Sequence, residues 1–250
     1  MPKEPEISPQ FIYGINSVLE ALRAGKAKKV FIGEGRREKV SLLLKEAGKK
    51  GVPVEYVKPD FFVRFPKGHQ SVAARVKEKE FASLEELLEI AEEKGEIPFF
   101  VALDGVEDPR NLGGIMRTAL AAGVHGLIIQ KHRQAGLGPE VYKASAGAAW
   151  HLPVVVEANI KYAVDELKKR GFSIVGAEAG SSLAPWDVDL GGPLLLIFGG
   201  EDTGIRKVVK ERCDHMASLP LKGEIDSLNV SAAAGAFIFE AVRQRGRGPA

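Results

Sequence analysis

The sequence predicts an α/β protein with two domains. A small α/β sandwich spans residues 1–80, a connecting helix 81–97, and a larger, mostly parallel α/β domain 98–250. Three observations carry this prediction. Short apolar runs alternate with amphipathic stretches along the chain, as strands paired through helical crossovers do. Three of those runs deliver a polar or glycine-rich turn, a pattern that marks a site as well as a core. Charge is also segregated: residues 23–50 are basic and 85–96 acidic.

In chain order, Asn16 or Ser17 is placed to cap a helix running to Ala24, where Gly25 stops it. Lys29 to Ile32 reads as a strand, Glu38 to Lys50 as an amphipathic helix and Pro53 to Val57 as the next strand. Asp60 can cap a helical turn carrying Phe61, Phe62 and Phe65, and Ser71 to Val76 closes the unit. Three phenylalanines at helical spacing bury one another more readily than they form a base-stacking platform. Ser83-Leu84-Glu85-Glu86 opens the connecting helix with a capping-box pattern, and Gly95 ends it. Strands are predicted at 99–103, 124–129, 152–156, 172–176, 194–198 and 215–219. Between the first two, Asn111 stands as a helix N-cap before Leu112, Ile115, Met116, Ala119 and Leu120, with Gly123 as the stop.

Composition narrows the function. The 250 residues are 45% hydrophobic and 27% charged, ordinary values for a globular chain. No apolar stretch reaches the ~18 residues of a membrane span, and Met1-Pro2-Lys3-Glu4-Pro5-Glu6 lacks a signal-peptide core, so a cytoplasmic protein is expected. One cysteine, Cys213, rules out an internal disulfide, and five scattered histidines show no ligand spacing, so no metal is expected. A net charge of +2 does not announce a nucleic-acid binder. Lys28, Lys29, Arg36 and Arg37 nevertheless concentrate positive charge in the first domain and are the candidate RNA contacts, against the plainer reading of solvated helix faces. Signatures of dinucleotide dehydrogenases, P-loop NTPases and α/β-hydrolases are missing from the sequence.

The three turns carry the chemistry. Asn111 precedes Arg117 by six residues, Gly199-Gly200-Glu201 follows an apolar run, and Ser227-Leu228-Asn229-Val230-Ser231 precedes a helix of small residues. Together, over residues 98 to 245, they resemble the motifs of the SpoU/TrmH family of RNA ribose 2′-O-methyltransferases. Tyr13 to Leu22 and His69 to Ala74 are similar to the amino-terminal substrate domain of the branch that modifies large-subunit ribosomal RNA.

That resemblance implies a SPOUT deep trefoil knot behind a ribosomal-protein-like domain, a homodimer, an RNA partner and S-adenosyl-L-methionine as methyl donor. It makes Arg117 the catalytic arginine, with Asn111, Glu201, Ser227 and Asn229 beside it. Gly199, Gly200, Leu219, Leu221, Leu228 and Val230 have the glycine and aliphatic character of a cofactor frame, and the resemblance singles out Gly199, Leu219 and Leu228 among them. Read without the resemblance, Arg117 is a solvated arginine, Glu201 a helix-start carboxylate, and Ser227 and Asn229 an ordinary helix cap. Gly113 and Gly114 thin the helix for an approaching RNA backbone, and Arg117 can grip a phosphate there. Asp202 stands where the family usually has a second glycine. The expected substrate is a guanosine ribose of 23S rRNA. A tRNA guanosine methyltransferase and a non-catalytic ribosome-assembly protein are the alternatives.

Overall fold

A computed structural model describes residues 10–36, 40–132 and 134–246. The chain forms two compact units: Met1–Glu80 with Gly136–His151, and Phe81–Ala135 with Leu152–Ala250.

The first unit is a four-stranded sheet ordered β1-β4-β2-β3, built from β1 (Phe11–Tyr13), β2 (Ala27–Gly33), β3 (Val54–Val57) and β4 (Val72–Val76). Only β2 and β3 run parallel. Helices α1 (Ile15–Arg23) and α2 (Ser41–Lys50) belong to this unit. The cap of α1 is Gly14, two residues before Asn16 and three before Ser17, and its φ of 91° suits glycine. A 3-10 turn at Pro59–Phe62 takes Lys58 as its cap in place of Asp60. It lays Phe62 and Phe65 on Tyr13 and Phe31, so the phenylalanine cluster is core, with Phe11 and Phe61 packed at its margin. The later segment adds α5 (Pro139–Ala144), whose Tyr142 stacks on Trp150 at 4.1 Å. Ser17 donates to the Tyr142 carbonyl, and Gly147 lies so close to Glu20 that no side chain fits between them.

The second unit begins with α3 (Leu84–Glu93), where Ser83 and Glu86 form the predicted capping box. Its six-stranded sheet is parallel throughout: β5 (Phe99–Asp104), β6 (Gly126–Gln130), β7 (Val154–Glu157), β8 (Ser173–Ala177), β9 (Leu194–Gly199) and β10 (His215–Ala217), ordered β10-β8-β9-β5-β6-β7. β5 and β9 are buried at every position, as central strands covered on both faces must be. Phe100, Ile128, Ile174, Leu195 and Ile197 pack on α3 and α6 (Ile160–Lys169). The other face is covered by α4 (Pro109–Ala121) and α8 (Val230–Arg245), where Phe198 meets Phe237 edge-on at 5.8 Å. The short α7 (Lys207–Lys210) lies between β9 and β10.

Asn111 is not the cap of α4. Asp108 holds that place, accepting from the Arg110 N–H, and Pro109 starts the helix with its φ already set. Arg245 anchors the far end of α8 by donating to the carbonyls of Ile97, Pro98, Leu190 and Gly192, and its burial lowers its pKa to about 10. No helix among the described residues is long and apolar enough to cross a membrane.

Candidate active site

The chain reverses at the end of β9 because two glycines permit an unusually close backbone approach. A side chain on Gly199 would run into the backbone of Gly204 and Ile205, and one on Gly200 into the Gly105 carbonyl. The left-handed residue of this loop is Gly204, at φ 61°, so Asp202 needs no glycine-like conformation.

Asp104, at the end of β5, locks the loop. It is 1% exposed. One of its carboxylate oxygens accepts from the Arg206 Nε at 2.7 Å and the other from the Arg206 backbone N–H at 2.8 Å. Gln130 donates to Asp104 at 2.9 Å and accepts from Arg206 at 2.7 Å, and Asn159 accepts from the same guanidinium. A buried carboxylate is tolerable only when paired and hydrogen-bonded in this way.

Beside the loop lies a cleft of about 500 Å³, within the range that small-molecule ligands occupy. Gly199, Gly200, Glu201, Leu219, Leu221, Ser227, Leu228, Asn229 and Val230 line it, so nine predicted residues converge on one place. Glu178, Ala233 and Phe237 also line it and were not singled out from sequence; Glu178 forms an ion pair with Lys210 there. The lining suits a nucleoside with an apolar base: aliphatic side chains and a phenylalanine form walls, and glycines leave backbone amides and carbonyls open. These residues therefore fit S-adenosylmethionine.

At the rim, three side chains orient one another. Asn229 caps α8, its carbonyl oxygen accepting from the Ser231 and Ala232 N–H groups. Its amide nitrogen must then point outward, and it donates to the Asn111 oxygen at 2.9 Å. That turns the Asn111 amide nitrogen onto Glu201, at 2.5 Å. The second carboxylate oxygen of Glu201 has no partner among the described residues and is free to accept another donor. Asn111 is thus a link inside the helix, 8% exposed, and not its cap.

Arg117 is exposed on α4 and makes no hydrogen bond or ion pair among the described residues. Glu201 bonds Asn111 and not Arg117. Gly114 does not thin the helix for RNA: a Cβ there would lie 3.2 Å from that of Ser231, so the glycine admits α8 against α4. In the first unit, Lys28 is exposed beside a register shift in β2, and Lys29 pairs with Glu55 at 2.5 Å. The Arg36 Nε is buried without a partner, and Arg37 lies outside the described residues. Burial raises the Cys213 thiol to about 11, which suits packing and not nucleophilic chemistry. Among the described residues no His, Cys, Asp and Glu cluster is spaced to hold a metal.

A parallel sheet whose loops frame a nucleoside-sized cleft, with an amide–carboxylate chain at its mouth, defines an α/β protein with a small-molecule pocket. Residues 98–239 match the model of the SpoU rRNA Methylase family, and residues 11–82 match the RNA 2′-O ribose methyltransferase substrate-binding model. The chain belongs to the SpoU rRNA methylase family, and its larger unit has the knotted SPOUT fold. It is 40% identical over 238 residues to YacO of Bacillus subtilis (strain 168), named for the TrmH family of tRNA/rRNA methyltransferases; the match covers 94% of this chain and 96% of that protein. It is 39% identical over 241 residues to the 23S rRNA (guanosine-2′-O-)-methyltransferase RlmB of Pseudomonas putida, again over 94% and 96%. Among solved structures, the SpoU methyltransferase AviRb from Streptomyces viridochromogenes in complex with AdoMet superposes with a TM-score of 0.78 and 26% identity, covering 95% of this chain and 91% of that one.

Proposed function

We propose that this protein methylates a ribose 2′-hydroxyl of RNA, a guanosine of 23S rRNA, with S-adenosyl-L-methionine as methyl donor, and that it works as a cytoplasmic homodimer. The observation that carries this reading is the convergence of the Gly199–Glu201 loop, the Leu219–Asn229 loop and Asn111 on one cleft in a chain of this family.

The bound donor supplies an electrophilic methyl group. Leu219, Leu221, Leu228 and Val230 give it apolar walls, while Gly199 and Gly200 keep the backbone close. The Asn229–Asn111–Glu201 chain holds the rim in one arrangement, with a carboxylate oxygen open for a substrate hydroxyl or amide. Ser227 contributes an exposed hydroxyl on the same rim. Arg117 grips an RNA phosphate beside the reacting ribose, so that its positive charge stabilises the 2′-oxygen as it attacks the methyl carbon, the carbon–sulfur bond breaks to leave the thioether, and the hydroxyl proton passes to water. The role assigned to Arg117 is electrostatic activation and positioning, which its planar, charged fork can supply to a phosphate. The dimer reading is supported by Leu120 on α4 and Phe239 on α8, 36% and 51% exposed on adjoining helices.

The test is methyl transfer from labelled S-adenosylmethionine to 23S rRNA fragments and to tRNA, with the 2′-O-methyl positions mapped. Modification of one rRNA guanosine is expected. Modification confined to tRNA would move the substrate, and failure to bind S-adenosylmethionine at millimolar concentration, with RNA present or absent, would sink the enzyme reading.

A further inference from the structure

Arg64 follows the 3-10 turn and reaches over the edge of the phenylalanine cluster. Its guanidinium lies over Phe61 at 4.2 Å, Phe11 at 5.2 Å and Phe65 at 5.4 Å from the ring centroids. It is exposed, and it has no hydrogen bond or ion pair among the described residues. The rings beneath are already fixed by one another, Phe61 stacking on Phe31 at 4.8 Å and Phe11 meeting Phe65 at 6.0 Å. Phe11 and Phe61 nevertheless keep part of their surface in water, and Val63 beside them is 79% exposed.

Strand register extends this patch. Phe11 on β1, Arg75 on β4 and Lys29 on β2 form one row across the sheet, next to the row Tyr13, Ala73 and Phe31 that the phenylalanines cover. Lys29 is paired with Glu55, but Arg75 is exposed and has no ion pair among the described residues. The face therefore offers partly open rings, a guanidinium held against them and a neighbouring free positive charge. Unpaired RNA bases stack on aromatic rings and on arginine planes, and the phosphate that follows such a base pairs with a second arginine.

We infer that this face is a stacking platform for one unpaired base of the RNA substrate, with Arg75 on the adjacent phosphate. The inference rests on the proposed RNA methyltransferase activity and adds where, and by what chemistry, a single-stranded part of the substrate is held. It assigns recognition to Arg64, Phe61 and Phe11 in place of the basic stretch Lys28 to Arg37.

The experiment uses the full-length protein, with Arg64→Ala and Arg64→Lys beside wild type. Binding of a single-stranded oligoribonucleotide and of the same sequence as duplex is followed by fluorescence anisotropy. Methyl transfer to rRNA, S-adenosylmethionine affinity and sedimentation are recorded on the same preparations. Arg64→Ala is expected to weaken single-strand binding about tenfold or more, the scale of one lost stacked base. Arg64→Lys keeps the charge but not the plane and should weaken it nearly as much. Duplex binding and S-adenosylmethionine affinity should change little. Single-strand binding equal to wild type in both variants, with wild type active on RNA, overturns this inference alone. An altered sedimentation coefficient with unchanged RNA affinity also overturns it, since the face would then join two copies of the chain. Wild type that neither binds nor methylates RNA overturns the functional reading as well.

Discussion

Arg206 and Arg117 belong to the same compact unit, yet the first is spent on Asp104, Gln130 and Asn159 while the second bonds nothing among the described residues. Both stand near glycines, Arg206 two residues after Gly204 of the loop and Arg117 three after Gly114 within α4. Arg206 faces a carboxylate that is almost wholly buried, so its charge is needed to make the fold tolerable. Arg117 faces water, and its charge stays available to a ligand. The comparison separates a charge that holds the cleft from a charge that can act in it.

The largest effect is expected where the comparison assigns chemistry. Arg117→Ala should lower methyl transfer by a factor on the order of 10²–10³, the usual loss on removing a group that stabilises developing charge. Its folding stability should stay within about 0.5 kcal/mol of wild type, because an exposed, unbonded side chain supports little. Single-turnover assays and urea unfolding check the two halves separately. Normal turnover with saturating RNA would remove Arg117 from the mechanism.

Asp104→Ala should behave in the opposite way. Leaving Arg206 without its carboxylate is expected to cost about 3 kcal/mol of stability, the range for breaking a buried pair from one side. Because the same carboxylate holds the Arg206 backbone beside the Gly199–Gly204 loop, KM for S-adenosylmethionine should rise more than kcat falls. Asp104→Asn, which keeps one acceptor, should recover part of the affinity. A variant with wild-type stability and KM would show that the loop holds its shape without the pair.

Much of this was legible in the sequence. The central strands were legible because a strand buried on both faces is apolar at nearly every position, as Leu194 to Phe198 are. The cleft was legible because Gly199 to Glu201 and Ser227 to Ser231 resemble motifs of the family; read without that resemblance they are turn and cap residues. The pairing of Asp104 with Arg206 was not legible, since 102 residues separate the partners and nothing in the segment that Asp104 opens points to an arginine so far along the chain. Asp108 before Pro109 did carry a helix-start signal, which Asn111 masked by being an equally good cap type. The three-residue β1 is too short to show a period, and nothing in its composition places Gly136–His151 with the amino-terminal unit. That placement matters for experiment. A chain begun near residue 97 would strip α1 and β1 from Val141 and Tyr142, both buried, so the Arg64 variants test RNA recognition more cleanly than truncation.

The smallest effect concerns polar groups that the fold satisfies without any charge. The His125 Nδ1 accepts from the Phe99 N–H at 3.1 Å, which leaves the proton on Nε2 facing Glu96 at 2.9 Å. Burial holds its pKa below the ordinary imidazole value, with Glu96 opposing in part. His69 is shifted the same way, by burial and by Lys143, while its Nδ1 accepts from the Ser71 N–H. With both pKa values depressed in the folded state, the unfolded chain binds more protons just below the ordinary value of about 6.5. Stability is therefore full above that pH and falls as the solution is acidified toward the folded values. The carboxylates lowered by their partners, Glu86, Asp108 and Asp214, lose their contribution only in more acid solution, because their ordinary values lie near pH 4. Urea midpoints measured between pH 7.5 and 5.5 should thus report the two histidines, with a loss on the order of 1 kcal/mol for each pKa unit of depression. His125→Gln should be less stable at pH 7.5 but show a shallower decline on acidification. A midpoint that holds steady or rises toward pH 5.5 would mean that Glu96 outweighs burial and that His125 is charged in the folded protein.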